Sequence, residues 1–288
     1  MTPRKQKIIC LENYIIKNFK MEEIKSIPVI STAVVNSTYW VTRLLMSVDY
    51  PVDTFLIVNN NGRGELTQEL DNLTKIKHKF VKNIVVTHLP ANIGLGGAWN
   101  LTIKCYMHSP YWIMVNDDVA FGPGILNEMV TMANADPDIG LIHGNSGDFG
   151  VGSWDLFLIR DSIIQLFGLF DENLYPAFCE DADYIMRFMH RPIKKVMSLE
   201  KKYYHGLTEV ETGKYYEENS GSQTQKTDPS LKSKLENINA INIEYLTTKW
   251  GPNWRVCNPT VLPFESDDKF VGQTKYDLEF VRKKHLGF

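Results

Sequence analysis

Tyr111-Trp112-Ile113-Met114-Val115-Asn116-Asp117-Asp118 sets three polar side chains directly after five apolar ones. A short apolar run without helical spacing describes a strand buried on both faces, as in a parallel sheet. Carboxylates at the end of such a strand are costly to bury unless a donor or a cation uses them. Mg2+ or Mn2+ takes oxygen ligands, keeps some water and shares its shell with nucleotide phosphates. The run therefore points to a divalent cation and a nucleotide diphosphate. The plainer alternative is a polar turn in which Asp117 or Asp118 caps the next segment.

Outward from this strand, short apolar runs alternate with amphipathic stretches from Pro28 onward, the pattern of an α/β fold with a mainly parallel central sheet and flanking helices. Strands are expected at Val29–Val35, Thr54–Val58 and Asn83–His88. Helices are expected at Tyr39–Val48 (capped near Asn36 or Ser37), Glu65–Phe80, Gly97–Met107 and Pro123–Ala133, the last with proline in its first turn. Ligands of open α/β sheets bind outside the carboxyl ends of the strands, so the loops at Asn59, Asn92–Gly97 and Asn116–Asp118 should share one crevice.

Asn92-Ile93-Gly94-Leu95-Gly96-Gly97-Ala98-Trp99-Asn100 joins a strand to a helix. Its glycines allow close backbone approach and its helix start favours negative charge, which suits phosphate or sugar hydroxyls; a tight strand-helix turn is the structural alternative. The order Gly-X-Gly-Gly at the third strand does not fit a dinucleotide fingerprint. Further on, Gly168-Leu169-Phe170-Asp171-Glu172-Asn173 precedes Phe178-Cys179-Glu180-Asp181-Ala182-Asp183, a carboxylate cluster opening a helix. Asp183 and Arg187 have the spacing of an ordinary surface ion pair. Crowded carboxylates need relief by a cation, a donor or a proton, and such a place can hold a general base.

Composition sets limits. The 288 residues are 43% hydrophobic and 23% charged with net charge −3, which gives ample core and no basic stripe for nucleic acid. The 4 cysteines are scattered without metal-ligand spacing and read as free thiols in a cytoplasmic protein. No run reaches the roughly 20 apolar residues of a membrane span. Residues 1–27 form a basic, apolar extension of helical spacing; packing on the domain is its expected use, and peripheral membrane contact the alternative. Thr212–Asp228 is polar and aperiodic and is expected to be a mobile loop, Pro229–Trp250 a long helix ended by Gly251-Pro252, and 251–288 a tail packing back.

These segments, in this order from about Pro28 to Trp250, resemble the nucleotide-sugar glycosyltransferases of family 2. The resemblance implies a GT-A fold: a Rossmann-like nucleotide-binding half over 28–118, and an acceptor half with its C-terminal helix over 119–250. By position, Asp118 resembles the metal-binding end of an Asp-X-Asp motif, with Asn116 nearer the ribose or base and Asp117 between them. Ala33, Val34, Val35, Asn59 and Asn61 resemble the nucleotide rim, and Asn92 and Gly94 the loop beside sugar and diphosphate. Asp181 resembles the base that takes the acceptor proton, with inversion implied. His205 stands where relatives place a histidine on the metal or diphosphate.

Trp99, Trp154, Asp155, Tyr175, Phe178 and Glu180 are candidates for the sugar or acceptor walls, with core packing the alternative for the aromatics. Asn59 and Asn116 replace expected aspartates, which leaves more of the Mn2+ or Mg2+ site to Asp118. The implied partners are a nucleotide-sugar donor, UDP-linked by preference, and a glycan or glycoconjugate acceptor. The competing readings are a catalytically weak nucleotide-sugar or glycan-binding protein of the same fold, and a sugar nucleotidyltransferase.

Overall fold

The structure is a computed structural model that describes residues 25–62, 64–144, 153–190, 194–201, 203–206 and 222–256. Its first half is a run of strand-helix units: β1 (Ile27–Val34), α1 (Thr38–Met46), β2 (Val52–Asn59), α2 (Thr67–Leu73), β3 (Val81–His88), α3 (Leu95–Cys105) and β4 (Tyr111–Val115). β1 pairs in parallel with β2 on one side and β4 on the other, and β3 extends the β2 edge. The chain thus grows outward from β1 in both directions, and the crevice of such a sheet opens where the growth reverses, beside β1 and β4.

The second half adds β5 (Val119–Ala120), α4 (Ile125–Ala135), β6 (Ile139–Gly144), β7 (Ser153–Arg160), α5 (Asp161–Phe167), α6 (Glu180–His190), β8 (Lys195–Ser198), β9 (Tyr204–His205), α7 (Gln223–Lys226) and α8 (Pro229–Trp250). The main sheet has seven strands in the order β3-β2-β1-β4-β7-β6-β8, and only β7 runs antiparallel to its neighbours. Strands of both halves therefore share one sheet. β5 and β9 form a separate two-stranded ribbon beside the end of β4.

Strand alternation splits the core in two. Tyr111, Ile113 and Val115 of β4 face a core with Val41, Leu44 and Leu45 of α1, Leu70 of α2 and Met129 of α4. Trp112 and Met114 face the other, with Trp99 of α3, Phe167 of α5, Tyr184 of α6 and Leu246 and Trp250 of α8. Ser37 caps α1, accepting the Tyr39 N–H, as its sequence suggests. No helix of the described residues is long and apolar enough to cross a membrane.

Several expectations are corrected. The helix expected over Glu65–Phe80 stops at Leu73: the Thr74 hydroxyl donates to the Asp71 carbonyl at 2.8 Å, and Nδ1 of His78 accepts from the N–H groups of Phe80 and Val81, turning the chain into β3. Pro123 lies before α4 rather than in its first turn, because Gly124, at φ 73°, forms the cap and donates its N–H to Asp49. Within the expected loop 212–228, Gln223–Lys226 is a helical turn, and residues 212–221 lie outside the described residues. The expected helix in 1–27 falls before the described chain except for the start of β1, and most of the tail also lies outside it. Cys105 and Cys179 are free thiols; Cys10 and Cys257 lie outside the described residues.

Asp183 and Arg187 are not a surface pair, since both side chains are fully buried. Asp183 also accepts from Lys249 Nζ at 2.7 Å and from the Trp250 indole at 2.8 Å. Lys249 reaches Asp171 at 2.8 Å, and Asp171 further accepts from the Tyr245 hydroxyl and the Asn173 side chain. Arg187 spends further donors on the carbonyls of Phe167 and Leu169. Two carboxylates and two cations thus tie α8 to α6 and to the Gly168–Asn173 loop. Lys249→Met should cost about 3–5 kcal/mol, the range for removing one member of a buried ion pair; denaturant unfolding measures it, and a loss below about 1 kcal/mol would show the cluster to be dispensable.

Candidate active site

The crevice beside β1 and β4 holds a cavity of about 420 Å³. Ala33 of β1 and Val35 just after it, Asn92 and Trp99 around the start of α3, Asn116, Asp117 and Asp118 after β4, Trp154 and Asp155 of β7, and Glu180 and Asp181 of α6 all line it. Asn59, Asn61, Gly94 and His205 stand behind this lining.

The alternation of β2 explains why Asn59 is not in the wall. Leu56 and Val58 face the core of Trp99, whereas Phe55 and Ile57 face that of α1. Asn60 therefore falls on the cavity side and Asn59 on the other. Asn59 is tied up there: its Nδ2 meets His88 Nδ1 at 2.9 Å, and His88 Nε2 meets Asp71 at 2.9 Å. Asn60, which was not singled out in the sequence, accepts from the Ile93 N–H at 2.8 Å and donates to the Gly94 carbonyl, joining β2 to the glycine loop. Asn61 donates to the Val35 carbonyl at 2.6 Å and fixes the rim. Gly94 has φ 79°, and a Cβ there would come within 3.1 Å of the Pro176 carbonyl oxygen; the glycine lets Leu95 N–H donate to that same oxygen at 2.7 Å.

Asp118 is held by its backbone and both its carboxylate oxygens. Its carbonyl accepts from the Arg43 guanidinium at 2.7 Å and from the Gly206 N–H at 2.8 Å. Oδ1 lies 3.3 Å from His205 Nε2, and Oδ2 accepts from the Gln223 N–H at 2.9 Å. His205 comes into reach because β9 pairs with β5, with Val119 opposite His205. Its Nδ1 lies 2.7 Å from Asp155 Oδ2, while Asp155 Oδ1 accepts from the Tyr203 hydroxyl at 2.6 Å. Burial opposes charge on His205, but its hydrogen bonds to the two carboxylates outweigh burial and raise its pKa to about 10. Burial likewise opposes ionisation of Asp118, yet His205 and the Gln223 N–H hold its pKa below the usual carboxylate value. Asp117 is pushed well above that value by burial and then by the adjacent Asp118 charge.

At the far wall, Asp181 opens α6 with Oδ1 accepting from the Ala182 N–H at 2.7 Å, and burial raises its pKa. Glu180 beside it is buried and packs against Gly96. Trp154 packs on Phe157, Phe170 and Tyr184, so it serves the core as well as the cavity wall. Among the described residues no group of three or more His, Cys, Asp or Glu side chains could hold a metal ion. Asp118 and His205 offer one oxygen and one nitrogen close together, which fits a cation whose remaining ligands are phosphate oxygens and water. Asp155 on the far ring nitrogen is the kind of outer partner that orients a metal-binding imidazole.

Residues 35–188 match the sequence model of "Glycosyl transferase family 2". The chain belongs to that family. It is 21% identical over 306 residues to a galactofuranosyl glycosyltransferase of Leishmania donovani, a match covering 82% of this chain and 70% of that protein. Among solved structures it is similar to S. aureus TarS 1-349 in complex with UDP-GlcNAc, at TM-score 0.49 and 13% identity over 63% of this chain and 59% of that one. A mannosyltransferase from Pyrobaculum calidifontis, in complex with GDP-Man and Mn2+, gives TM-score 0.48 at 11% identity, covering 65% of this chain and 59% of that one. The chain thus spans less than two thirds of those two structures.

The buried hydrogen bond from the Tyr203 hydroxyl gives this residue a testable supporting role beside Asp155. Tyr203→Phe leaves a buried carboxylate with one donor fewer and should destabilise the protein by about 1–3 kcal/mol. Chemical denaturation reads the change, and a midpoint equal to wild type would show that the hydroxyl does not support Asp155.

Proposed function

We propose that this chain is an inverting glycosyltransferase that moves a sugar from a nucleoside-diphosphate donor, first of all a UDP-sugar, to a hydroxyl of a glycan or other acceptor. The observation that carries this reading is that Asp118 and Asp181 line the same cavity, Asp118 beside His205 and Asp181 at the start of α6. Family membership supports it, and the galactofuranosyl group named for the Leishmania protein belongs among the donors to be tried.

In the transfer the acceptor oxygen bonds to the anomeric carbon while the bond from that carbon to the diphosphate oxygen breaks, its electron pair leaving with the diphosphate. The hydroxyl proton passes to Asp181. Oδ1 of Asp181 is occupied by the Ala182 N–H, so Oδ2 is the oxygen that takes it. Attack from the face opposite the diphosphate inverts the configuration. Mn2+ or Mg2+, when bound, supplies charge stabilisation to the departing diphosphate. Asp118 and His205 are the residues to hold it, and Asp155 and Tyr203 keep the imidazole turned toward Asp118. Asn92 and Asn116 present amides to the donor, and Trp99 and Trp154 present ring edges and faces to its sugar or to the acceptor.

Asp181→Asn should lower kcat by about 10²–10⁴-fold, the usual range for a general base, while UDP binding is kept. The base acts ionised and its folded pKa is raised, so wild-type activity falls on acidification before an ordinary carboxylate would protonate. A transfer assay over pH 4–8 checks both points; full turnover by Asp181→Asn would remove Asp181 from the reaction, and UDP binding without transfer by the wild type would favour a binding protein. His205 carries a proton when no cation is present. Apparent Mn2+ affinity with UDP should therefore rise from pH 6 to pH 8, and rise less steeply in His205→Gln, where only the terminal phosphate of UDP still loses a proton; titration calorimetry measures it, and an unchanged slope would take His205 out of the cation site.

A further inference from the structure

The loop that delivers Asp181 is conformationally unusual. Phe178 and Cys179, the two residues before α6, both have left-handed backbones, at φ 77° and 74°. Neither is glycine, and an L-residue adopts this region at a steric cost. Two such residues in a row persist only where the surroundings over-determine them, and such places cluster at functional sites. Here they stand immediately before Glu180 and Asp181, and all four residues line the cavity.

What over-determines the loop is on the other side of it. Asn242, in the middle of α8 and fully buried, donates from one amide nitrogen to two successive carbonyls, Ala177 at 3.0 Å and Phe178 at 2.9 Å. One planar amide meeting both oxygens fixes the peptide between Ala177 and Phe178, and with it the direction in which the chain enters α6. Asn239, one turn earlier on α8, adds a weaker contact, accepting from the Cys179 thiol at 3.7 Å. On the other flank Pro176 accepts from the Leu95 N–H, so the loop is pinned between α3 and α8.

We propose that Asn242 is a positioning residue for the transfer step: it holds the loop in its left-handed conformation so that the Asp181 carboxylate meets the acceptor hydroxyl. The inference rests on the reading of Asp181 as base. Asn242 itself is fully buried and does not line the cavity. Misplacing a reacting group by about 1 Å can cost on the order of 10²-fold in rate, so a residue this far from the chemistry can matter to kcat alone.

The test compares wild type, Asn242→Leu, Cys179→Gly, the double variant and Asp181→Asn in one transfer assay, with hydrogen exchange of residues 177–182 measured on the same proteins without ligand. Asn242→Leu should lower kcat about 10–100-fold with donor KM within about twofold of wild type, and should speed exchange in 177–182 while the strands exchange as before. Glycine adopts the left-handed region freely, so the loss caused by Asn242→Leu should shrink in the Cys179→Gly background, a coupling that general destabilisation would not produce. If Asn242→Leu does not fold, Asn242→Ser takes its place with the same criteria. Wild-type kcat and exchange in the Asn242 variant, or equal losses with and without Cys179→Gly, would overturn the inference while Asp181→Asn stays inactive. Full activity of Asp181→Asn would overturn the general-base reading instead.

Discussion

The buried quartet of Asp171, Asp183, Arg187 and Lys249 is the constraint on which the far wall of the site depends. Each charge is out of water, so each must keep its partners, and those partners come from three different elements. The C-terminal turn of α8 is thereby fixed to α6 and to the loop after α5. Asn242, two turns up the same helix, can then meet the carbonyls that precede Asp181. The position of Asp181 in the cavity thus depends on ion pairing that begins two residues later, at Asp183.

The near wall is built on a different principle. Asp118 lies three residues past a strand that is buried on both faces, and its backbone is caught between Arg43 of α1 and Gly206 after β9. The β5–β9 ribbon carries His205 to it, and Asp155, one strand over on β7, fixes the imidazole from behind. The turn at 222–227 closes the arrangement: Gln223 donates to Asp118, and the Asn36 amide donates to the Thr224 carbonyl at 2.8 Å. Residues some hundred positions apart in the chain thus meet around one carboxylate. Its low pKa and the high one of His205 are two sides of the same ion pair.

Much of this was legible in the sequence where local pattern and burial agree. β4 and α8 have the bounds their apolar spacing predicts, and the loops after the strands meet in one cavity as the sheet rule requires. Being last in a strand says nothing about which side Asn59 faces; the alternation from Phe55 onward puts Asn60 on the cavity side and Asn59 on the other. The spacing of Asp183 and Arg187 is the same on a wet face and a dry one, and only Lys249 and Trp250, more than sixty residues later, decide which it is. Gln223 contributes a backbone N–H, a group every residue but proline carries, so nothing in its side chain announces it. The helix lost after Leu73 yields to a histidine ring that accepts two N–H groups, a local competitor that helical periodicity does not see.

The central claim is a division of labour between two carboxylates in one cavity, Asp118 toward a cation and the diphosphate, Asp181 toward the acceptor. Calorimetric titration of UDP in the presence and absence of Mn2+, on wild type, Asp118→Ala and Asp181→Asn, tests that division without any knowledge of the acceptor. The account predicts Mn2+-dependent UDP binding in the wild type, its loss in Asp118→Ala and its retention in Asp181→Asn. Equal UDP affinity in all three proteins, with no response to Mn2+, would contradict it.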